Sequence, residues 1–454
     1  MNASIIDSTV FGDVFSTAAM RWIWSDENRT AQYLAFEAAL AKVQGELGLI
    51  PAKAAAEIVR VCEVENIDMA LLGEQTERAG TPILGLVSQI NGLCSDGLGE
   101  YCHWGATTQD VIDTATVLQM RAALVLVDAD LKALGNGLAA LAHKHRDTPM
   151  AGRTNLQQAV PVTFGYKMAG LLAAVQRHCE RLAQLRPRVL QAEFAGAAGT
   201  LASLPHLALE TQAALCAELG LAQPSIAWHT QRDTIAEVGA FLGLVGGTLG
   251  KLSMDVKLLM QTEVGEVFEA FAPGRGASST MPQKRNPVAS TTIHAQVAVV
   301  RQYAAALLEA MVGDHERSTG PWEIEWIVLP EAFCLLAGAL AQSRAIVDGL
   351  EVDAGRMRAN LGITQGLVVS EAVMMGLAPS MGRERAHDLV VDLCRRAIAE
   401  KRPLLDILGQ STEIAAHANR ERLAALCDPA AYLGQAGAMV DRVLARWQDG
   451  TRAD

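Results

Sequence analysis

The chain has 454 residues, of which 50% are hydrophobic and 5% are aromatic, and its formal net charge is −12. A chain of this length can bury a large core and suggests roughly two to four structural units. The acidic balance argues against nucleic acid or an anionic membrane as partner, although a local cationic pocket can still bind an anionic substrate. The mean hydropathy of +0.18 is high for a soluble monomer and predicts buried helices and a subunit interface.

The sequence predicts a cytoplasmic protein without a cofactor. The N-terminus lacks the basic and apolar regions of a signal peptide, and no run of about 18 uncharged apolar residues indicates a membrane span. The eight cysteines are scattered without a Cys-x-x-Cys pair, which predicts reduced thiols that fill the core. Metal-ligand spacings and glycine-rich phosphate loops are missing, so we expect neither a metal site nor a cofactor.

Composition and proline spacing predict an all-α fold. Ala and Leu dominate, and both are strong helix formers. Three long stretches lack proline, at 83–148, 225–272 and 331–378, and each predicts long bundle helices. Runs of alternating β-branched residues are almost absent, so we expect few strands.

The first clear helix is predicted to begin near residue 25. Ser25 is a suitable N-cap, Asp26 and Glu27 suit the positive end of the helix dipole, and Gly48 before Pro51 suits the helix end. Its apolar face follows a spacing of three and four residues: Tyr33, Phe36, Leu40, Val43 and Leu47.

Residues 103–110, His-Trp-Gly-Ala-Thr-Thr-Gln-Asp, form the first polar segment. Thr107 and Thr108 offer hydroxyls, and Asp110 can cap a following helix. Taken alone, the segment is an ordinary helix start, and His103 is a hydrogen-bonded structural histidine.

Residues 152–161, Gly-Arg-Thr-Asn-Leu-Gln-Gln-Ala-Val-Pro, form the second polar segment. Arg153 in this segment and Arg317 later in the chain are candidate clamps for carboxylates, because the guanidinium fork donates two hydrogen bonds to one carboxylate. The alternative for each arginine is a surface ion pair.

Five glycines fall inside the second proline-free stretch, and each costs roughly 1 kcal/mol relative to alanine in a helix interior. They are Gly239, Gly243, Gly246, Gly247 and Gly250. We expect them to allow close approach of a neighbouring helix, and the competing interpretation is a kink.

The most informative segment is 276–287, Gly-Ala-Ser-Ser-Thr-Met-Pro-Gln-Lys-Arg-Asn-Pro. Gly276 permits an unusual backbone turn, whereas Pro282 and Pro287 fix φ and exclude a helix. The segment is therefore predicted to be a polar loop.

Four side chains of this loop can carry chemistry. Ser278 or Ser279 can move a proton, and Lys284 and Asn286 can hold a carboxylate whose charge spreads during a reaction. The alternative is a solvated surface loop.

The loop resembles the signature loop of the fumarase/aspartase superfamily, Gly-Ser-Ser-x-Met-Pro-x-Lys-x-Asn-Pro. Every defined position is met except the first, where Ala277 replaces glycine. The resemblance implies that Ser278 is the base and that Lys284 and Asn286 bind a carboxylate of the substrate. It also implies substrate contacts by neighbouring loop residues: Ser279 and Met281.

Segment 103–110 resembles the superfamily pattern His-x-Gly-x-Thr-Ser-x-Asp, with Thr108 in place of serine. The resemblance implies that the hydroxyls of Thr107 and Thr108 bind a substrate carboxylate. Further segments that fit the superfamily are 228–233, 261–269, 315–322, 361–367 and 428–434. The remaining implied substrate contacts are His103, Arg153, Thr154, Asn155, Gln158, His229, Gln231 and Arg317.

Two positions indicate the branch of the superfamily. Many members have a histidine at position 155 and a glutamate at position 291, and this chain has Asn155 and Thr291. A poor leaving group benefits from a general acid by about 10²–10⁴-fold, whereas a carboxylate is already ionised near neutrality and needs none. The resemblance therefore points to a cycloisomerase, in which the substrate's own carboxylate adds to a double bond and closes a lactone.

Two other functions stay open at this point. One is a lyase of the same superfamily that releases fumarate from a succinyl adduct, for which Asn155 leaves some room. The other is a non-catalytic structural relative, because fold need not mean activity. The intact Ser278, Lys284 and Asn286 disfavour the second.

The resemblance also implies the architecture. It predicts an N-terminal helical domain at 1–108, a central long-helix bundle at 109–352 with the signature loop at 274–287, and a C-terminal helical domain at 353–454. It further implies a homotetramer with a twenty-helix core, active sites shared between three subunits, and a small polycarboxylate substrate. Gly274 and Gly276 are the expected hinges of loop closure.

Overall fold

The computed structural model describes residues 4–204, 206–270, 274 and 276–452, with side chains described up to residue 450. Arg275 of the predicted signature loop lies outside the described residues. The all-α class is confirmed, because helices dominate the described chain and its strands are few and short.

The helices are α1 (Gly12–Phe15), α2 (Ala18–Ile23), α3 (Asp26–Glu46), α4 (Ala52–Val61), α5 (Met69–Ala79), α6 (Ile83–Leu93), α7 (Thr108–Lys144), α8 (Phe164–Val189), α9 (Ala208–Leu219), α10 (Asp233–Leu259), α11 (Val288–Glu309), α12 (Pro321–Gly349), α13 (Ala354–Leu361), α14 (Ser370–Met381), α15 (Arg383–Glu400), α16 (Leu404–Gly409), α17 (Thr412–Ala415), α18 (Arg420–Leu426) and α19 (Ala436–Arg452). Short 3-10 turns lie at Val64–Asn66, Ser95–Tyr101, Leu367–Val369 and Pro429–Ala431. The strands are β1 (Pro149–Thr154), β2 (Gln157–Thr163), β3 (Val267–Phe268) and β4 (Glu351–Val352).

The first compact unit of the chain comprises Met1–Leu131, His178–Gly250 and Thr292–Ala341. Helices α3, α4 and α6 bury an apolar cluster together with the start of α7 and part of α9. Fully buried members of that cluster include Phe36, Leu40, Ile58, Ile90 and Phe194.

The predicted start of α3 is confirmed. The Ser25 hydroxyl accepts a hydrogen bond from the Asn28 N–H at 3.2 Å, and Asp26 and Glu27 lie in the first helical turn. Beyond the helix end, Gly48 has a φ of +73°, a left-handed conformation that glycine adopts without strain.

The close approach predicted from the glycines of α10 is confirmed at four of the five positions. A Cβ at Gly239 would lie 2.5 Å from Leu307 on α11, and a Cβ at Gly243 would lie 3.2 Å from Ala304. Gly246 and Gly250 face Val297 in the same way. The fifth, Gly247, has no such neighbour within 4 Å.

The proline-free stretches predicted the long helices α7 and α10 but not α12. Pro330 lies inside α12, and the third stretch is divided between α12, α13 and part of α14. An internal proline costs a helix about 3 kcal/mol. The buried apolar face of α12 offsets this cost through Trp322, Leu329, Phe333, Leu336 and Leu340.

Two described helices, α10 and α12, are long and apolar enough to cross a membrane by length and composition alone. Within their most apolar windows, 56% of α10 and 67% of α12 is buried inside the protein. Core helices of large proteins have the same composition. We therefore interpret both helices as part of the core.

The second compact unit comprises Lys132–Arg177, Lys251–Thr291 and Gln342–Asp454. Its C-terminal helices α14, α15, α16 and α18 enclose a separate apolar cluster that includes Val373, Leu377, Leu404, Ile407 and Ile414. A smaller cluster joins β1 to α13 and α14. The three-domain division at 108 and 352 stays a prediction.

Strands β1 and β2 of the second unit form an antiparallel hairpin that the sequence did not predict. Thr154 pairs with Gln157, so only Asn155 and Leu156 connect the strands, with φ values of +49° and +62°. Two consecutive positive φ angles are typical of a type I′ hairpin turn, and asparagine tolerates this conformation well. The register shifts between Ala151 and Arg153, where Gly152 lies opposite two residues, Ala159 and Val160, so the extra residue of this bulge belongs to β2.

Candidate active site

The predicted site residues fall into two groups that belong to different compact units. The first unit holds His103, Thr107, Thr108, His229, Gln231 and Arg317. The second unit holds Arg153, Thr154, Asn155, Gln158, Ser278, Ser279, Met281, Lys284 and Asn286.

Ser278 lies in a backbone turn that directs two N–H groups at its hydroxyl. Its Oγ accepts from the N–H of Met281 at 3.0 Å and from the N–H of Thr280 at 3.3 Å. Donors aimed at an oxygen stabilise negative charge on it, as in an oxyanion hole. The contacts are those of a serine turn, and the same two donors would stabilise negative charge on Oγ if the hydroxyl lost its proton.

The two ends of the signature loop are joined through Gly276 and Asn286. The backbone N–H and the side-chain amide of Asn286 both donate to the Gly276 carbonyl, at 3.0 and 3.1 Å. Gly276 has a φ of +69°, and a Cβ there would lie 2.7 Å from the Asn286 carbonyl oxygen. Glycine is therefore required for this closure. The Asn286 amide is engaged by the loop itself in this conformation.

Two carboxylates anchor the loop where it enters α11. Glu269 accepts from the N–H groups of Ala289 and Ser290, at 3.0 and 2.8 Å, and from the Ser290 hydroxyl at 2.7 Å. This buried carboxylate satisfies the free N–H groups at the helix start and complements its dipole. Arg285 pairs with Glu351 through two hydrogen bonds at 2.8 and 2.9 Å.

The remaining loop side chains point to solvent. Lys284, Ser279 and Met281 are exposed. Within the described chain, the Lys284 ammonium has no hydrogen-bond or ion-pair partner. It is therefore a cation available to an anionic ligand.

Arg153 of the hairpin is already paired with a protein carboxylate. Its two terminal nitrogens donate to Glu266 at 2.7 and 3.0 Å, and the Glu266 side chain is completely buried. The Asn360 amide donates to the same carboxylate at 2.8 Å. This network holds β1 against α13, and it favours a structural role for Arg153 over the predicted substrate clamp.

The neighbouring hairpin residues differ in their engagement. Thr154 and Asn155 are exposed at the hairpin tip. Gln158 donates from its amide to the Asn360 carbonyl at 2.9 Å, while its Oε1 is buried without a protein partner. The left-handed turn is thus a local reason for asparagine at position 155, separate from any effect on the substrate.

In the first unit, Asp110 organises the start of α7. Its Oδ2 accepts from the N–H groups of Thr107 and Gly196, at 2.9 and 3.0 Å. Its Oδ1 contacts His229 Nε2 at 2.8 Å and accepts from the Ala195 N–H at 3.0 Å. The predicted capping by Asp110 is confirmed, and it extends to the loop before α9.

Arg317 reaches the same helix start. Its Nη2 lies 3.3 Å from the Thr107 hydroxyl and donates to the Ala197 carbonyl at 2.8 Å. Among the described residues, no carboxylate pairs with this guanidinium. Unlike Arg153, Arg317 therefore remains suited to clamp an external carboxylate.

His103 is held by Glu37, a residue that no sequence pattern marked as part of a site. The ring Nδ1 lies 2.6 Å from a Glu37 oxygen, and the His103 backbone N–H donates to the other oxygen at 3.1 Å. Glu37 lies on α3 amid apolar spacing, so only the packing of α3 against the 103–110 segment brings the pair together.

A buried ion network explains segment 228–233. The two terminal nitrogens of Arg232 donate to the Asp113 carboxylate, at 2.7 and 3.0 Å. Its Nε donates to Glu325 at 2.9 Å, and its Nη2 donates to the other oxygen of Glu325. Asp113 also accepts from the Trp322 indole at 3.0 Å. Burial alone lowers the pKa of Arg232, but the two carboxylates outweigh it and raise that pKa, so the guanidinium stays charged.

One buried group of described residues has side chains that can bind a metal ion: Asp110, Glu193 and His229. Burial raises the pKa of Glu193 to about 9, so its carboxyl is neutral near pH 7. The Asp110 oxygens already receive N–H groups. We therefore interpret the group as a hydrogen-bond network.

A cavity of about 360 Å³ in the first unit contains none of the predicted site residues. Its walls include Trp24, Tyr33, Trp322 and Trp326, together with Asp113 of the buried ion network. The cavity is therefore not part of the predicted active site.

Comparison with known proteins decides the family. Residues 14–301, more than half of the chain, match the family model described as lyase. Residues 366–443 match the model described as adenylosuccinate lyase C-terminus. The chain belongs to the fumarase/aspartase superfamily.

Relatives match this superfamily member over almost its whole length. Trans-aconitate decarboxylase 1 of Mycosarcoma maydis is 55% identical over 434 residues, covering 96% of this chain and 88% of the relative. The 3-carboxy-cis,cis-muconate cycloisomerase of Pseudomonas aeruginosa is 50% identical over 439 residues, covering 96% of both chains.

A solved structure agrees with the described fold of this superfamily member. The crystal structure of 3-carboxy-cis,cis-muconate lactonizing enzyme from Pseudomonas putida superposes with a TM-score of 0.93 at 45% sequence identity. It covers 98% of this chain and 100% of that chain. Membership of this superfamily, with such relatives, identifies the protein as an enzyme.

Proposed function

We propose that the protein is a cycloisomerase that interconverts 3-carboxy-cis,cis-muconate and a carboxymuconolactone. The observation that carries the proposal is the pair of N–H groups on Ser278 Oγ, within a loop that matches the superfamily's signature except at Ala277. The absence of a histidine at 155 and of a glutamate at 291 supports a reaction that expels no poor leaving group. The 50% identity to a cycloisomerase over 96% of both chains agrees with this choice.

In the proposed reaction, one carboxylate oxygen of the substrate forms a bond to an alkene carbon β to a second carboxylate. The π electrons move into that second carboxylate and give an aci-carboxylate dianion, and the new C–O bond closes a five-membered lactone. Lys284 and Asn286 would stabilise the dianion as preorganised donors. For Asn286 this requires that its amide exchange the Gly276 carbonyl for the substrate.

The reaction is completed by a proton transfer. Ser278 would deliver its hydroxyl proton to the α-carbon, and in the reverse direction its alkoxide would remove that proton. A free serine is far too weak a base, so the N–H groups of Thr280 and Met281 and the cation of Lys284 are needed to stabilise the alkoxide.

The other carboxylates of the substrate need their own partners. We assign one of them to Arg317 with the hydroxyls of Thr107 and Thr108, because this guanidinium lies beside the start of α7 and no carboxylate among the described residues pairs with it. Arg153 is assigned to the hairpin instead, since Glu266 already occupies it. The site is proposed to form in a cytoplasmic homotetramer, from segments of three subunits, without a cofactor.

A second candidate reaction is the decarboxylation of an unsaturated tricarboxylate. The observation that favours it is the 55% identity to a trans-aconitate decarboxylase. In that reaction a C–C bond breaks, CO₂ leaves, and the electron pair delocalises into a neighbouring unsaturated carboxylate before protonation. Both reactions need the same anion-stabilising donors, so substrate shape must distinguish them.

The decisive experiment is a comparison of three kinds of substrate with the purified protein. We expect rapid ultraviolet loss of 3-carboxy-cis,cis-muconate with formation of lactone. Release of CO₂ from trans-aconitate, with no lactone formed, would transfer the protein to the second candidate. Growth of fumarate absorbance from adenylosuccinate or argininosuccinate would contradict both and restore the fumarate-releasing lyase.

A further inference from the structure

Glu37 is a buried carboxylate whose side-chain hydrogen bonds, among the described residues, all go to Cys102 and His103. Its side chain is completely buried, and it contacts the His103 ring, the His103 backbone N–H and the Cys102 thiol, at 2.6, 3.1 and 3.6 Å. A buried carboxylate is costly unless it is paired, so these contacts are required for its burial. The same contacts fix the orientation of the imidazole ring, with Nδ1 directed at Glu37.

The orientation leaves one nitrogen of His103 open. The ring is partly exposed, at 19% of its side-chain surface, and Nδ1 faces Glu37. Among the described residues nothing hydrogen-bonds Nε2, and Nε2 is not among the buried polar atoms that lack a partner. It therefore faces solvent. His103 also has a φ of +59°, a left-handed conformation that the Glu37 contacts help to hold.

The charges around the ring favour its protonated form. Burial lowers the pKa of His103, but the charge and hydrogen bond of Glu37, from α3, and the charge of Asp110, from α7, outweigh burial and raise it. The Cys102 thiol beside Glu37 stays neutral, because burial raises its pKa.

We propose that Glu37 is a positioning residue that holds His103 as an imidazolium and leaves Nε2 free to bind a carboxylate of a polycarboxylate ligand. The pair supplies a fixed cation four residues before Thr107, in a chain that lacks the histidine and glutamate usual at positions 155 and 291. The ligand class rests on the proposed function, whereas the state of His103 does not.

The test of the His103 state needs no turnover. The ring of His103 is followed by NMR as pH changes, with ¹³C-labelled histidine and His103→Gln to assign the signal. We expect its pKa to lie above the ordinary value of about 6.5 in the wild type and to fall in Glu37→Gln, which keeps the shape and loses the charge. Glu57→Gln, a matched loss of charge at a carboxylate bound to Arg60 and Ser95, should leave the His103 signal unchanged.

Either of two results would overturn the proposed state of His103. One is a wild-type His103 that is neutral at pH 7, which decides the matter even where Glu37→Gln does not fold. The other is an unchanged His103 pKa in a folded Glu37→Gln. Citrate, a stable tricarboxylate, tests the ligand: it should raise the His103 pKa further in the wild type, and no response would refute the carboxylate contact.

Turnover separates this inference from the proposed function. With 3-carboxy-cis,cis-muconate, Glu37→Gln should move the alkaline limit of kcat/KM to lower pH and raise KM more than it lowers kcat. An unmoved alkaline limit would contradict the role of Glu37. A wild type that shows no turnover but has a protonated, citrate-responsive His103 would refute the proposed reaction and leave the positioning role intact.

Discussion

The two terminal nitrogens of Arg153 donate hydrogen bonds to the carboxylate of Glu266, at 2.7 and 3.0 Å, and the Glu266 side chain is completely buried. This pair ties hairpin strand β1 to segment 261–269. It gives a structural reason for an arginine that the sequence offered as a candidate substrate clamp, with an ion pair as the alternative.

Glu266→Gln should therefore lower the free energy of unfolding. The change leaves the Arg153 guanidinium, which is 22% exposed, without its counter-charge. We expect a loss of roughly 2–4 kcal/mol, because removing one partner of a buried pair is costly. Urea unfolding measures it, and Glu218→Gln, which breaks the exposed pair with Lys42, should cost less than about 1 kcal/mol. Equal effects of both variants would contradict the assignment.

Arg232→Met should be among the most destabilising single changes in the first unit. It leaves Asp113 and Glu325 facing each other in the core, where each is almost completely buried. A loss of about 3–5 kcal/mol is expected, visible as a large fall in the thermal midpoint. Arg188→Met, which breaks a solvent-exposed pair with Glu237, is the control and should have little effect. A small loss of stability in Arg232→Met would contradict this expectation and show that the core tolerates the unpaired carboxylates.

Gly239→Ala and Gly73→Ala should change the free energy of unfolding in opposite directions. A Cβ at Gly239 would lie 2.5 Å from the Leu307 side chain, which is buried, so either that side chain must change its conformation in the packed core or α10 and α11 must move apart. We expect a loss of about 1–3 kcal/mol from this overpacking. Gly73, inside α5, has no neighbour within 4 Å of its Cβ position, so alanine there should stabilise by roughly 0.5–1 kcal/mol. Thermal unfolding of the two variants checks both, and a stabilised Gly239→Ala would refute the close contact.

The buried Glu193 should make stability depend on pH. Burial raises its pKa from 4.5 to about 9, so the folded chain keeps a proton that the unfolded chain releases. This contribution is fully present below pH 4.5 and is lost as pH rises towards 9, by at most about 1.4 kcal/mol per pH unit. Glu193→Gln mimics the neutral carboxyl, so its unfolding free energy should fall less steeply with pH than that of the wild type. Parallel slopes would contradict the raised pKa.

Local signals in the sequence predicted local structure well. Ser25, Asp26 and Gly48 mark α3 because caps and left-handed ends depend on neighbours within a few residues. The glycines of α10 predicted its close contact with α11 because a small side chain in a helix interior needs a compensating reason.

Pairings between distant parts of the chain were not predictable in this way. Glu37 and His103 lie 66 residues apart, and Arg153 and Glu266 lie 113 apart. The sequence around each glutamate gives no sign of its distant partner. The β1–β2 hairpin was missed because its turn, Asn155-Leu156, lacks the usual glycine. Pro330 predicted a helix boundary where α12 is continuous, because burial of α12 outweighs the local cost of the proline.

The most direct test of the central claim compares the wild type with Ser278→Ala on 3-carboxy-cis,cis-muconate, with loss of substrate followed in the ultraviolet. We expect the wild type to form lactone and Ser278→Ala to be slower by about 10²–10⁴-fold, with an unchanged urea unfolding curve. A Ser278→Ala protein that forms lactone at the wild-type rate would remove the serine from the reaction. A folded wild type that leaves the substrate unchanged would contradict the proposed function itself.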